Sequence, residues 1–87
     1  MFIFLPGGFG TLDEFFELIT LLQTGRMEYR PVILVGKKFW LDLLAWCKLT
    51  LIPEGMINVT EFDRIHVVDS IADIEILFPK FKLDDTR

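Results

Sequence analysis

Phe2-Ile3-Phe4-Leu5-Pro6-Gly7-Gly8-Phe9-Gly10-Thr11-Leu12-Asp13-Glu14 is the stretch from which the fold of this chain can be read. Its beginning, Met1 to Leu5, is continuously apolar, the pattern of a strand buried on both faces. From Thr11 to Thr24 apolar side chains recur at helical spacing. A glycine-rich turn joins the two. Such a turn sets bare backbone N–H groups at the positive end of a helix dipole, an arrangement that binds phosphate. Three glycines in four positions, Gly7, Gly8 and Gly10, predict a backbone with positive φ or one that a ligand must approach closely.

The same alternation continues outward. Gly25 is a natural stop for the first helix, and a polar connection runs from Gly25 to Pro31. Val32 to Val35 is a second buried strand, closed by Gly36. Phe39 to about Leu51 is a second helix, ended by Pro53 and Gly55. Asn58 to Arg64 reads as a loop or short helical turn, Ile65 to Val68 as a third strand, and Ser70 to Phe78 as a third helix ended by Pro79. Ser70 and Asp73 have capping-box-like spacing. Strand–helix repeated three times predicts an α/β chain with parallel strands, a βαβαβα half of a doubly wound sheet. One domain is expected over 1–79, with a charged, frayed tail at 80–87. The strand that feeds the loop begins almost at residue 1, so any strand preceding it in a larger sheet is expected outside this chain.

On the first helix, Leu12, Phe15, Phe16, Ile19, Leu22 and Gln23 fall along one side, and Leu18 and Leu21 widen the apolar surface. A helix apolar over most of its circumference is buried on more than one side. The expectation is that one side covers the sheet and Leu18 and Leu21 meet a second subunit. Composition agrees: 52% of the 87 residues are hydrophobic and the mean hydropathy is +0.43. A domain of this size buries only roughly 60–65% of its unfolded surface, so a missing covalent half, a partner subunit or both are expected to cover the surplus.

The net charge of −4 and pI near 4.8 argue against a general nucleic-acid binder, which carries a basic face. They leave room for one phosphate held by N–H dipoles. The single cysteine, Cys47, cannot form an internal disulfide, reads as buried and inert, and fits a reducing, cytoplasmic compartment. No targeting or membrane-spanning segment is recognised: Phe39 to Ile52 is too short and is interrupted by Asp42 and Lys48.

The loop is neither a P-loop, since Thr11 follows Gly10 with no lysine, nor a dinucleotide fingerprint, since Asp13 stands where the third glycine belongs. Thr11 and Glu14 admit two accounts. Thr-x-x-Glu is a capping box, with Thr11 as cap and Glu14 reaching back to its N–H; spacing alone favours this. In the other account Thr11 donates to a phosphate and Glu14, one turn on, faces the same pocket as an acid, base or polariser. Asp13 and Glu17 read as solvated carboxylates. His66 reads as a packed strand histidine. Asp69 follows the third strand on the edge where open α/β sheets bind ligands, and reads as an N-cap before a ligand contact. Lys37 and Lys38 lie on that same edge as solvated lysines, and Phe39, Trp40 and Trp46 read as core or interface. No spacing of His and Cys suggests a metal site.

Pro6-Gly7-Gly8-Phe9-Gly10-Thr11-Leu12-Asp13-Glu14 resembles the PGGxGTxxE signature of the LOG family of cytokinin-activating nucleoside 5′-monophosphate phosphoribohydrolases, long labelled lysine decarboxylase-like. Leu22-Gln23-Thr24-Gly25, Pro31-Val32-Ile33-Leu34, Phe39-Trp40 and His66-Val67-Val68-Asp69 are similar to its bacterial members, so the resemblance covers nearly the whole chain. It implies a Rossmann-like fold, a dimer or higher homo-oligomer, and cleavage of the N-glycosidic bond of an AMP-like nucleoside 5′-monophosphate to free base and ribose 5-phosphate. It places the 5′-phosphate on Gly7, Gly8, Gly10 and Thr11 and makes Glu14 the catalytic carboxylate. No cofactor is implied, and nothing in the sequence marks a pyridoxal phosphate lysine site. Family members carry a further half-domain ahead of this point, with another glycine loop and an essential arginine, so the resemblance implies that this chain corresponds to the C-terminal half. The alternatives are a non-catalytic nucleotide-binding or assembly module and, disfavoured by the missing glycine, an oxidoreductase fragment.

Overall fold

A computed structural model describes residues 1–79; the tail read at 80–87 lies outside the described residues. Three short strands, β1 (Phe2–Phe4), β2 (Val32–Val35) and β3 (Ile65–Val68), form one parallel sheet in the order β1-β2-β3. Phe2 pairs with Val32 and Val32 with Ile65, so the strands run in step. Three helices alternate with them: α1 (Phe9–Gln23), α2 (Lys37–Trp46) and α3 (Ile71–Leu77). A π-helical turn, Cys47–Leu51, prolongs α2, and a 3₁₀ helix, Val59–Arg64, leads into β3. The α/β architecture expected from the alternation is present.

Strand periodicity decides what each face packs against. Val32 and Leu34 point from β2 into the larger core, with Phe15, Leu18 and Leu22 of α1 and Trp40 and Leu44 of α2. Ile33 points the other way, toward Val68 and Ile74 of α3. Both crossovers therefore share one face, as connections of one hand stepping in one direction require. β2 is central, and Val32, Ile33 and Leu34 are completely buried.

An aromatic triad ties α1 and α2 to the sheet. Phe4, Phe15 and Trp40 meet with ring centroids 5.7, 5.2 and 6.5 Å apart, the Phe4–Phe15 and Phe4–Trp40 pairs edge-on. Pairs of this kind contribute about 0.5–1.5 kcal/mol beyond burial. The Trp40 indole N–H donates to the Val35 carbonyl at 3.1 Å.

Helix ends follow local chemistry. Gly25, with φ of +74°, stops α1: its N–H donates to Leu22 O and that of Arg26 to Leu21 O, the Schellman pattern. Arg64 adds a hydrogen bond to Leu22 O at 3.1 Å, placing a cation at the negative end of α1. Gly55 and Met56 close the end of the second helical stretch in the same pattern.

Two expectations are corrected. Leu18, expected on the side away from the sheet, is buried against it, because Phe15, Leu18 and Leu22 form the i, i+3, i+7 stripe that meets β2. Phe16, expected on the covered side, is 40% exposed. Both α1 and α2 also begin two residues earlier than their apolar patterns suggested, at Phe9 and Lys37. Among the described residues, no helix is long and apolar enough to cross a membrane.

Candidate functional site

All three helices begin at the carboxyl ends of the strands, so three positive dipole ends gather on one edge of the sheet. Two of them are satisfied from within the protein. At α2, the N–H of Lys37 donates to Asp69 Oδ1 at 3.0 Å. At α3, Ser70 Oγ accepts from the N–H of Asp73 at 3.3 Å. At α1 the cap position is Gly8, which has no side chain to offer, and the first turn holds no carboxylate. The first hydrogen bond of α1 runs from Leu12 N to Gly8 O at 3.1 Å, so the N–H groups of Phe9, Gly10 and Thr11 precede the helical ladder. Pro6 to Gly10 are all exposed.

The glycines of the loop do different jobs, and none of the three has positive φ, contrary to one of the two readings made from sequence. At Gly7 a Cβ would lie 2.9 Å from Thr11 Cβ and collide with Thr11 Oγ1, so glycine is needed for the Thr11 side chain to tuck beneath the loop. At Gly8 and Gly10 a Cβ would meet nothing within 4 Å. The space above them is open, which is the geometry of a backbone approached by a ligand.

Because α1 starts at Phe9, Thr11 is its third residue rather than its cap, and the Thr11–Glu14 capping box is not formed. That removes the capping account of Glu14. Its side chain is exposed and lines a groove of about 380 Å³ with Phe2, Ile3, Phe4, Glu17, Leu18 and Leu21, along the edge of β1 that faces away from β2. Five residues separate Phe9 from Glu14, an axial rise of about 7.5 Å, and helical side chains lean toward the N-terminus. An anion on the open amides and the Glu14 carboxylate would therefore bracket a group the size of a ribose. The structure gathers Gly7, Gly8, Gly10 and Thr11 at the helix start and sets Glu14 on its flank.

The other candidates separate from this site. Asp69 has the capping role read from sequence, and the helix start it caps is that of α2. Lys37 and Lys38 are exposed on the first turn of α2. His66 packs edge-on against Phe78 at 5.4 Å, as a strand histidine. Cys47 is buried, and burial pushes its thiol up from the ordinary value of 9.0. It lines a separate apolar hollow of about 120 Å³ with Phe15, Ile19, Leu44 and Phe62, which holds none of the loop residues. Trp40 is core, whereas Trp46 is 55% exposed.

Sequence reasoning took Gly36 only as the close of the second strand. Its φ is +106°, and a Cβ there would sit 3.0 Å from Pro6 Cγ, so the turn after β2 walls the glycine-rich loop. A lone glycine after an apolar run was the available signal, but its packing partner lies thirty residues away (36 − 6).

The family model described as "possible lysine decarboxylase" matches residues 1–76. Among curated proteins, a cytokinin riboside 5′-monophosphate phosphoribohydrolase of Mycobacterium tuberculosis is 38% identical over 73 residues, covering 83% of this chain and 38% of the relative. One from Rhodococcoides fascians is 34% identical over 80% of this chain and 35% of its own length. One from Arabidopsis thaliana is 33% identical over 93% of this chain and 36% of its own length. The chain thus spans little more than a third of the curated relatives it matches.

Proposed function

This chain belongs to the LOG family, whose model carries the description "possible lysine decarboxylase", and from that premise we propose that it carries the phosphate loop and the catalytic carboxylate of a nucleoside 5′-monophosphate phosphoribohydrolase. The reaction is hydrolysis of the N-glycosidic bond of an AMP-like nucleotide. Water adds at C1′, the base leaves with a proton, and ribose 5-phosphate remains. The observation that carries the proposal is the start of α1, which is left without a side-chain cap while its neighbours are capped, with Glu14 on its flank.

In this reading Gly8 and Gly10 admit the phosphate, whose charge the N–H groups and helix dipole stabilise. Gly7 makes room for Thr11, whose hydroxyl adds a donor. The ribose then lies along α1 toward Glu14. Positive charge develops on the sugar as the base departs, and a carboxylate there stabilises the oxocarbenium-like state or accepts a proton from water. The names of the relatives support a nucleoside monophosphate as substrate.

A homo-oligomer is part of the same proposal. It is supported by apolar side chains left in water, Leu41 (48% exposed), Trp46 and Leu49 (77%). The unpaired Cys47 supports a reducing, cytoplasmic location.

A second reading, a nucleotide-binding module without turnover, is favoured by one observation: Glu14 lies in water along a strand edge with no further strand beside it among the described residues. Release of adenine from AMP by the wild type and Glu14→Gln separates the two. Binding retained with adenine release lost in the variant supports hydrolysis. AMP binding with no release by either protein supports the module. Equal release by both would overturn the assignment of Glu14.

A further inference from the structure

Asp69 reaches across 32 residues of sequence to hold the N–H of Lys37 at 3.0 Å. Its own backbone is held in turn. The Asp69 N–H donates to Asp73 Oδ2 at 3.4 Å, and the Asp73 N–H donates to Ser70 Oγ at 3.3 Å. One residue before Lys37, the Gly36 N–H donates to Val68 O at 2.7 Å. The turn after β2 is therefore fastened to the end of β3 by two adjacent hydrogen bonds, one of them charge-assisted. The other side of that turn is where Pro6 rests against Gly36, in a contact that a single methyl would crowd to 3.0 Å.

We propose that Asp69 is a positioning residue for the phosphate loop: by capping α2 from the end of β3 it fixes Gly36 as the wall that sets how Pro6-Gly7-Gly8 enters α1. The proposal rests on the reading that this loop takes a nucleotide 5′-phosphate. A carboxylate suits the task because it meets the positive end of α2 and makes a stronger bond than a neutral acceptor. It also satisfies the start of α2, so that the open amides of α1 are left as the anion site on this edge. An asparagine could accept the same N–H without the charge.

The test is backbone ¹⁵N relaxation of the wild type, Asp69→Ala and Asp69→Asn, with AMP titrations of each. The expected result is that order parameters at Gly7, Gly8 and Gly10 fall from about 0.85 to about 0.6 in Asp69→Ala. AMP affinity should fall about tenfold, because a loop no longer held in place must be ordered when the ligand binds. Both should largely return in Asp69→Asn. Loosening confined to residues 36–39 would overturn the proposal, because Asp69 would then be only a cap. Equal loosening of β2 would overturn it too, because the effect would be general destabilisation. If Asp69→Ala does not fold, Asp69→Glu keeps the charge and displaces it by one methylene. Chemical-shift changes at Gly7, Gly8 and Gly10 in that variant support the proposal, and changes confined to residues 36–39 and 69–73 overturn it. A wild type that ignores AMP would refute the phosphate reading, while the relaxation data would still decide whether Asp69 positions the loop.

Discussion

Gly10→Ala should make the unliganded protein more stable and the liganded protein less so. Gly10 is the second residue of α1, its φ is not positive, and a Cβ there meets nothing within 4 Å. For the fold alone, glycine at this place is a liability. Alanine in a helix is favoured over glycine by about 0.5–1 kcal/mol. For a domain of this size that corresponds to roughly 2–8 °C in Tm. The ligand reverses the sign. AMP at one hundred times its dissociation constant stabilises the wild type by about 2.7 kcal/mol. If the added methyl weakens binding about a hundredfold, the same AMP concentration gives the variant only about 0.4 kcal/mol. The melting curves should then cross: the variant melts higher without AMP, the wild type higher with it. The assay is thermal unfolding by circular dichroism at matched AMP concentrations. A variant that melts lower without ligand would show that Gly10 serves the fold. An unchanged AMP shift would show that no phosphate comes close to Gly10, and either result refutes the reasoning. Gly7→Ala is the internal contrast, since its Cβ collides with Thr11; it should destabilise by about 1–3 kcal/mol even without ligand.

Three further outcomes are expected. Gly36→Ala combines a φ of +106° with a Cβ 3.0 Å from Pro6 Cγ, and should lower stability by about 1–3 kcal/mol in urea denaturation. Trp40→Phe removes the indole donor to Val35 O and leaves a part-buried carbonyl unpaired, so the urea midpoint should fall by the equivalent of about 1–3 kcal/mol. Cys47 has a thiol raised by burial above 9.0, so above that pH the unfolded chain loses its proton before the folded one does. This contribution to stability is therefore full below pH 9.0 and declines as pH rises through the folded value. Comparison of wild type and Cys47→Val between pH 7 and 10 should show a steeper alkaline loss in the wild type.

Much of the fold was legible because its signals are local. Continuous apolar runs marked the strands, and β3 coincides with the run read from sequence. Gly25 and Gly55 marked helix ends through φ, a property of single residues. Ser70 is an N-cap for the helix that follows it, as its spacing from Asp73 suggested. The errors came where two local patterns compete. Thr-x-x-Glu at 11–14 has the spacing of a capping box, but the helix is already under way at Phe9, which needs no cap signal because glycine fills the position. Leu18 belongs to a stripe with Phe15 and Leu22 as well as to the flank with Leu21, and only the direction of the sheet chooses between them.

The sequence by itself determined the α/β alternation, the glycine loop between β1 and α1, and the family to which that loop belongs. These depend on side-chain period and on residues within a few positions of one another. Only the tertiary structure decided which of three helix starts stays open. The start of α2 is capped by Asp69, 32 residues away, and the loop is walled by Gly36, thirty residues from Pro6. Parallel strands bring such residues together because each crossover returns the chain to the same edge of the sheet. No window of local sequence contains both partners, so the physical reason the start of α1 stays uncapped while that of α2 does not appears only once the sheet is assembled.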